Sequence, residues 1–158
     1  MPKPASRKSV LFVCTGNTCR SPMAEGLMRA AVRDRKDVHV GSAGVAAMPG
    51  HRVSSDTRAV LKAKNAPLKG FKSRQVDQAL LADASLIVAM TGSHAAMVKR
   101  YFPGCARRVR LLCDFIHQDE GLAGADVPDP IGMGREAYEE VAEVIDLAIP
   151  GIIKALDK

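Results

Sequence analysis

Cys14 and Arg20 close a seven-residue stretch, Cys14-Thr-Gly-Asn-Thr-Cys-Arg20, in which a thiol and a guanidinium can meet on one anion. Each residue type has a chemical use there. Gly16 and Asn17 tolerate positive φ, which turns successive peptide N–H groups inward to form an anion-binding nest spanning Thr15, Gly16, Asn17, Thr18 and Cys19. A tetrahedral phosphate fits such a nest. Ser21-Pro22 reads as a helix start, whose unpaired N–H groups and positive dipole end point at the same place, and Pro22 has no N–H to lose. Arg20 can grip two phosphate oxygens with its planar fork and match the charge that develops on them in the transition state. The same donors favour the thiolate of Cys14, which makes a nucleophile for phosphoryl transfer. A bare Cys-x5-Arg is a weak signal in a chain with 23 basic residues; the surrounding strand, nest and helix start strengthen it. The competing reading is Cys14 as a small buried residue at a strand end.

Phosphoryl transfer also needs an acid for the leaving group and then a base for water, and one carboxyl can serve as both. Spacing alone leaves the choice open among 17 acidic residues. Asp126-Val-Pro-Asp129-Pro-Ile-Gly-Met-Gly134 is a loop punctuated by proline and glycine, rigid enough to aim a side chain. Cys19 is either packing beneath the helix start or a partner that captures an oxidised Cys14 as a disulfide. Cys105 and Cys113 read as core residues, since no set of four zinc ligands forms around them. No catalytic role is assigned to His39, His51, His94 or His117.

These residues must be positioned by a fold, and the hydrophobic pattern gives one. Apolar runs at Val10–Val13, Val38–Val40, Leu86–Ala89 and Val109–Leu112 read as strands, three of them buried on both faces. Helical spacing runs over Pro22–Arg35, with Met23, Leu27, Ala30 and Ala31 on one side. It recurs over Ser54–Lys64, Val76–Ala82 and Ser93–Phe102, and over Arg135–Leu156, which should bend or break at Pro150. Strand and helix in alternation predict a single-domain α/β fold: a doubly wound, Rossmann-like, four-stranded parallel sheet with helices on both faces. Ligands of such sheets sit beyond the carboxyl ends of the strands, where the Cys14 loop falls. Residues 1–8 read as a flexible basic extension and 9–158 as the domain. No apolar run reaches signal-peptide or membrane-span length, so a soluble cytoplasmic monomer is expected, with no membrane partner. The net charge of +6 is scattered along the chain, which suits a solvated surface and a phosphorylated substrate better than nucleic acid.

The run Val-Cys14-Thr-Gly-Asn-Thr-Cys-Arg-Ser-Pro-Met-Ala-Glu25 resembles the signature of the low-molecular-weight protein tyrosine phosphatase family. The resemblance extends from Ser9 over nearly the whole chain, through Ser42-Ala43-Gly44, Ala89-Met90 and Asp129-Pro130. It implies a cysteinyl-phosphate intermediate, no metal and no organic cofactor, and a phosphorylated protein as substrate. It selects Asp129 as acid and then base, with Asp126 a solvated carboxylate, and it implies that Asn17, Ser21 and Ser42 hold the substrate-binding loop in shape. Phosphotyrosine-directed members commonly carry a bulky aliphatic residue where Thr18 stands, and aromatic residues after the Asp-Pro pair. Here Ile131 follows, Met48 lies in the loop after Gly44, and Phe71 replaces a family histidine. Thr18-Cys19-Arg20 resembles the protein-arginine phosphatases of the family, so phosphoarginine is favoured and phosphotyrosine is the alternative. A thioredoxin-coupled arsenate reductase would need two further cysteines on a mobile segment, and no cysteine lies between Cys19 and Cys105. A non-enzymatic phosphate- or nucleic-acid-binding module would not need the nucleophile, arginine and acid together.

Overall fold

Parallel strands need crossover connections, and the chain supplies them with helices. The computed structural model describes residues 8–117 and 120–158; the expected extension over residues 1–7 lies outside them. In chain order the elements are β1 (Lys8–Cys14), α1 (Arg20–Ala31), β2 (Val38–Gly44), α2 (Ser55–Ala63), α3 (Gln78–Asp83), β3 (Leu86–Ala89), α4 (Gly92–Tyr101), β4 (Val109–Leu111) and α5 (Arg135–Leu156). Short 3-10 turns flank β4 at Pro103–Arg108 and Leu112–Phe115. The four strands form one parallel sheet in the order β2-β1-β3-β4.

This order places β1 at the centre, with its crossovers leaving to opposite sides at its carboxyl end. That divergence opens the crevice in which doubly wound sheets bind ligands. Along β1, side chains alternate between two cores. Val10, Phe12 and Cys14 pack with Met23 and Leu27 of α1, Leu61 of α2 and Ile145 and Ile149 of α5. Leu11 and Val13 pack on the other face with Leu81 of α3 and Ala95 and Val98 of α4. Cys105 joins this second core and Cys113 the first.

Several boundaries differ from the sequence expectation for local reasons. The first strand already begins at Lys8, which reaches Asp37 and Asp157 with its ammonium group. Helix α1 starts two residues before Pro22 and stops at Ala31, so Met28 and Val32 are buried while Ala31 is exposed. Val76 is not helical; its segment forms a bridge from Gln75 to Gly44, and α3 starts at Gln78 with Asp77 as its cap. Helix α5 runs unbroken through Pro150. Pro150 and Asp146, whose carbonyl loses its partner, both lie on the solvent side, where water replaces the missing bond.

The end of β2 presses directly against the Cys14 loop. Val45 N–H donates to the Cys14 carbonyl and Ala46 N–H to the Thr15 carbonyl, each at 2.9 Å. A Cβ on Gly44 would collide with the Thr15 carbonyl oxygen and stand 3.0 Å from Asn17 N. Gly44→Ala is therefore expected to cost about 1–3 kcal/mol through forced displacement of the loop. Urea denaturation measures it, and an unchanged midpoint would show that the loop yields freely.

Candidate functional site

The loop between β1 and α1 surrounds a buried thiol. Cys14 is 3% exposed, and Asn17 N–H donates to its Sγ at 3.3 Å. Ser21 Oγ lies 2.8 Å from the same sulfur. The direction of that bond follows from its neighbours. Asn17 Nδ2 already donates to Ser21 Oγ at 2.8 Å, so the Ser21 hydroxyl proton is left to point at sulfur. The Asn17 N–H and the Ser21 hydroxyl therefore both face Sγ.

Asn17 alone adopts the left-handed conformation, at φ 56°; Gly16 does not, and a Cβ there would meet nothing closer than 3.8 Å. The expectation that both turn the nest is corrected: an asparagine does it, because its side chain repays the backbone locally. Its amide also donates to Ser42 Oγ at 2.9 Å and accepts from Arg74 N–H at 3.0 Å. Ser42 Oγ donates to Glu25 Oε1 at 2.7 Å. Glu25 is itself buried and meets Arg29 at 3.1 Å, while Arg74 Nε donates to the Ser42 carbonyl at 2.9 Å. Burial pushes the Glu25 carboxyl above its ordinary range, against the lowering effects of Ser42, Arg29 and Arg74. Glu25 and Arg74 carried no assigned role in the sequence, although a glutamate on the buried side of an apolar helix was a visible signal.

Arg20 opens α1 and is 7% exposed; its Nη1 donates to the Val127 carbonyl at 2.9 Å and its Nη2 lies 4.0 Å from Asp129 Oδ2. Val127 N–H in turn donates to the Met90 carbonyl at 2.9 Å. Asp126 is exposed, as a solvated carboxylate should be, and it also accepts the Gly92 N–H at the start of α4 at 2.8 Å. The loop that carries Asp129 is thus docked at Asp126 and Val127, and Asp129 follows between two prolines with its Oδ1 accepting from Ile131 N–H. Its side chain is 53% exposed, open to a leaving group and to water.

The remaining loop residues divide between bonds and space. Thr18 is half-buried, and its carbonyl accepts from Ser54 N–H at 2.9 Å. Cys19 is buried, with Sγ 3.6 Å from the Tyr138 hydroxyl, whose pKa burial pushes up to about 12. Thr57 Oγ1 donates to the Cys19 carbonyl at 3.3 Å. Thr15 is exposed and its hydroxyl lies 2.7 Å from His94 Nε2. His94, unassigned in the sequence, is therefore part of the site wall. Among the described residues no group of three or more His, Cys, Asp or Glu side chains is placed to hold a metal ion. No helix among them is long and apolar enough to cross a membrane.

A buried thiol in a Cys-x5-Arg loop at the carboxyl end of a central parallel strand, facing a docked aspartate, defines the class of small cysteine-dependent phosphatases. Residues 9–158 match the model of the family described as low molecular weight phosphotyrosine protein phosphatase. A low molecular weight protein-tyrosine-phosphatase of Streptomyces coelicolor is 37% identical, with 93% of this chain and 92% of that protein covered. A protein-arginine-phosphatase of Bacillus subtilis is 33% identical, with 94% and 97% covered. The structure of a cysteine-to-serine mutant arginine phosphatase with a phosphorylated active-site serine superimposes with a TM-score of 0.85 at 30% identity, over 95% of this chain and 96% of that one. The chain belongs to the low molecular weight protein phosphatase family.

The Glu25 carboxyl gives a pH test of the loop support. Because its folded pKa is raised, its contribution to stability is complete below the ordinary value of 4.5 and is lost as pH rises through the folded value. Glu25→Gln keeps an acceptor for Ser42 and removes the charge. The variant should gain stability relative to the wild type as pH rises above 4.5 in urea denaturation, and a pH-independent difference would contradict it.

Proposed function

We propose that this protein hydrolyses phosphorylated side chains of proteins, phosphoarginine first among them, with Cys14 as nucleophile. The observation that carries the reading is the buried Cys14 sulfur with two donors on it, in a loop whose closing Arg20 lies 4.0 Å from Asp129. The thiolate attacks phosphorus while Arg20 and the loop N–H groups hold the equatorial oxygens. The P–N or P–O bond breaks, and Asp129 delivers its proton to the departing atom. Asp129 then takes a proton from water, whose oxygen attacks phosphorus and breaks the P–S bond. Inorganic phosphate leaves and the thiolate is restored. Ser21, Ser42 and Asn17 keep the loop in this shape through the bonds already described.

Thr18 supports phosphoarginine. It is half-buried and takes no part in the bonds that reach Sγ, so its size changes the space above the loop without altering the nucleophile. An aliphatic residue in its place would supply an apolar wall for a phenyl ring. The large exposed apolar residues are Met48, Met97, Tyr101, Ile131, Met133 and Leu147, so the segment after Asp129 offers no ring to stack on one. The arginine phosphatase of Bacillus subtilis agrees with this preference, and the tyrosine phosphatase of Streptomyces coelicolor keeps phosphotyrosine as the alternative. The enzyme is read as one catalytic domain over residues 9–158, monomeric and cytoplasmic.

Parallel assays on a phosphoarginyl peptide, a phosphotyrosyl peptide and p-nitrophenyl phosphate test the reading. The phosphoarginyl peptide should give the highest kcat/KM, Cys14→Ser should release no phosphate from any of the three, and Asp129→Asn should lower kcat by about 10²- to 10⁴-fold. Thr18→Ile should move the ratio of peptide activities toward phosphotyrosine. An unchanged ratio removes Thr18 as selector, and silence of the wild type on all three substrates ends the phosphatase reading.

A further inference from the structure

His94 stands between two threonines from different parts of the fold. Its Nδ1 lies 3.0 Å from Thr91 Oγ1 and its Nε2 lies 2.7 Å from Thr15 Oγ1, the residue after Cys14. The ring is 5% exposed. Burial first, and the nearby charge of Arg20 second, pull its pKa down to about 4, against the opposing pull of Asp126 and Asp129. At neutral pH the ring therefore carries one proton, and one nitrogen donates while the other accepts.

The surroundings decide which. Thr91 caps α4, its Oγ1 accepting the His94 N–H at 3.2 Å, and it is itself buried. Its own hydroxyl proton has no acceptor among the described residues other than His94 Nδ1. Were the ring proton on Nδ1, the Thr91 hydroxyl would be a buried donor without a partner, which costs about 1–3 kcal/mol. With the proton on Nε2 every group is satisfied: Thr91 donates to Nδ1, Nε2–H donates to Thr15 Oγ1, and the exposed Thr15 hydroxyl keeps its proton for an acceptor outside the relay.

We propose that His94, as its Nε2–H tautomer, is a positioning residue that fixes the first residue of the anion loop through Thr15. The argument rests on the phosphatase reading of that loop. The chain Thr91–His94–Thr15 joins the start of α4, which follows β3, to the residue that follows β1, so it spans the crevice from the side opposite Asn17 and Ser42. Asn17 fixes the middle of the loop and His94 fixes its entry. Thr15 then presents its N–H and its free hydroxyl proton to a bound oxyanion at a set position.

The test measures inorganic phosphate binding by calorimetry alongside p-nitrophenyl phosphate turnover, for the wild type, His94→Leu, His94→Gln, Thr15→Val and the His94→Leu/Thr15→Val double variant. His94→Leu should weaken phosphate binding about tenfold and raise KM in step, as expected for one lost hydrogen bond of about 1.4 kcal/mol. His94→Gln, which keeps a donor near Nε2, should recover most of the loss. Thr15→Val removes that bond together with the hydroxyl itself, so it should lose at least as much as His94→Leu, and the double variant should be no worse than Thr15→Val alone. Nitrogen-15 shifts of the imidazole should report Nε2–H at neutral pH. Phosphate affinity within twofold of the wild type in a folded His94→Leu overturns the proposal, as do multiplying losses in the double variant or an Nδ1–H tautomer. Thr15→Val lies at an exposed position and keeps the test readable if His94→Leu does not fold. Phosphate binding needs no turnover, so a wild type without hydrolytic activity would end the phosphatase reading and leave this result standing by itself.

Discussion

Asn17 is fully buried in a left-handed conformation, and its carboxamide meets Ser21, Ser42 and the backbone of Arg74 at once. A loop that gathers inward-facing N–H groups around a sulfur is poor in bonds of its own, because those groups are kept for a ligand. Something outside the ligand must hold it. The asparagine amide does so from beneath, and its Oδ1 contact with Arg74 N–H fixes which end donates. That in turn sets the direction of the Ser21 hydroxyl toward Cys14. The hydrogen bonds at the Cys14 sulfur thus depend on the side chain of Asn17.

The network reaches outward by steps that lengthen in sequence. Ser42 lies in β2, Glu25 lies inside α1, Arg74 precedes α3, and the loop itself follows β1. The sheet order makes this meeting possible, since β2 and β3 flank β1 and deliver their carboxyl ends to the same edge. The buried Glu25 carboxylate would be costly if unpaired; Ser42 and Arg29 satisfy it, and the backbone stays anchored by Arg74. Gly44 belongs to the same design. Its missing Cβ lets the end of β2 lie against the Thr15 carbonyl, so strand and loop move as one piece.

What the sequence revealed follows the range of the interactions. Cys14, Arg20 and the helix start lie within a few residues of each other, so spacing and residue type exposed them. The parallel sheet was legible because β1 and β3 are short apolar runs between helical segments. Asp129 needed family resemblance, since a carboxylate 109 positions beyond Arg20 has no local mark. His94 is 79 positions from Thr15 and Arg74 is 57 from Asn17, and only the fold brings them together. Gly16 misled because glycine permits positive φ without requiring it. Pro150 misled because the cost of a helical proline depends on whether water can reach the freed carbonyl, which is a property of the packed face.

The division of labour within the loop explains how relatives with one fold carry names for different substrates. Cys14, Asn17 and Ser21 are committed by side-chain bonds to each other, and Arg20 is committed to the Val127 carbonyl and faces Asp129. Changing any of them disturbs the nucleophile or the anion site. Thr18 is held by its carbonyl, through Ser54 N–H, and its Oγ1 lies 3.8 Å from Cys19 Sγ, outside that network. Met48, Ile131 and Met133 are exposed at 62% or more and likewise lie outside it. Substitution at these positions reshapes the space into which the phosphorylated side chain enters and leaves the cradle intact. On the proposed reading, bond cleavage and substrate choice are therefore separable, because among the described residues the groups that face the Cys14 sulfur and those that shape the space above it share no hydrogen bond.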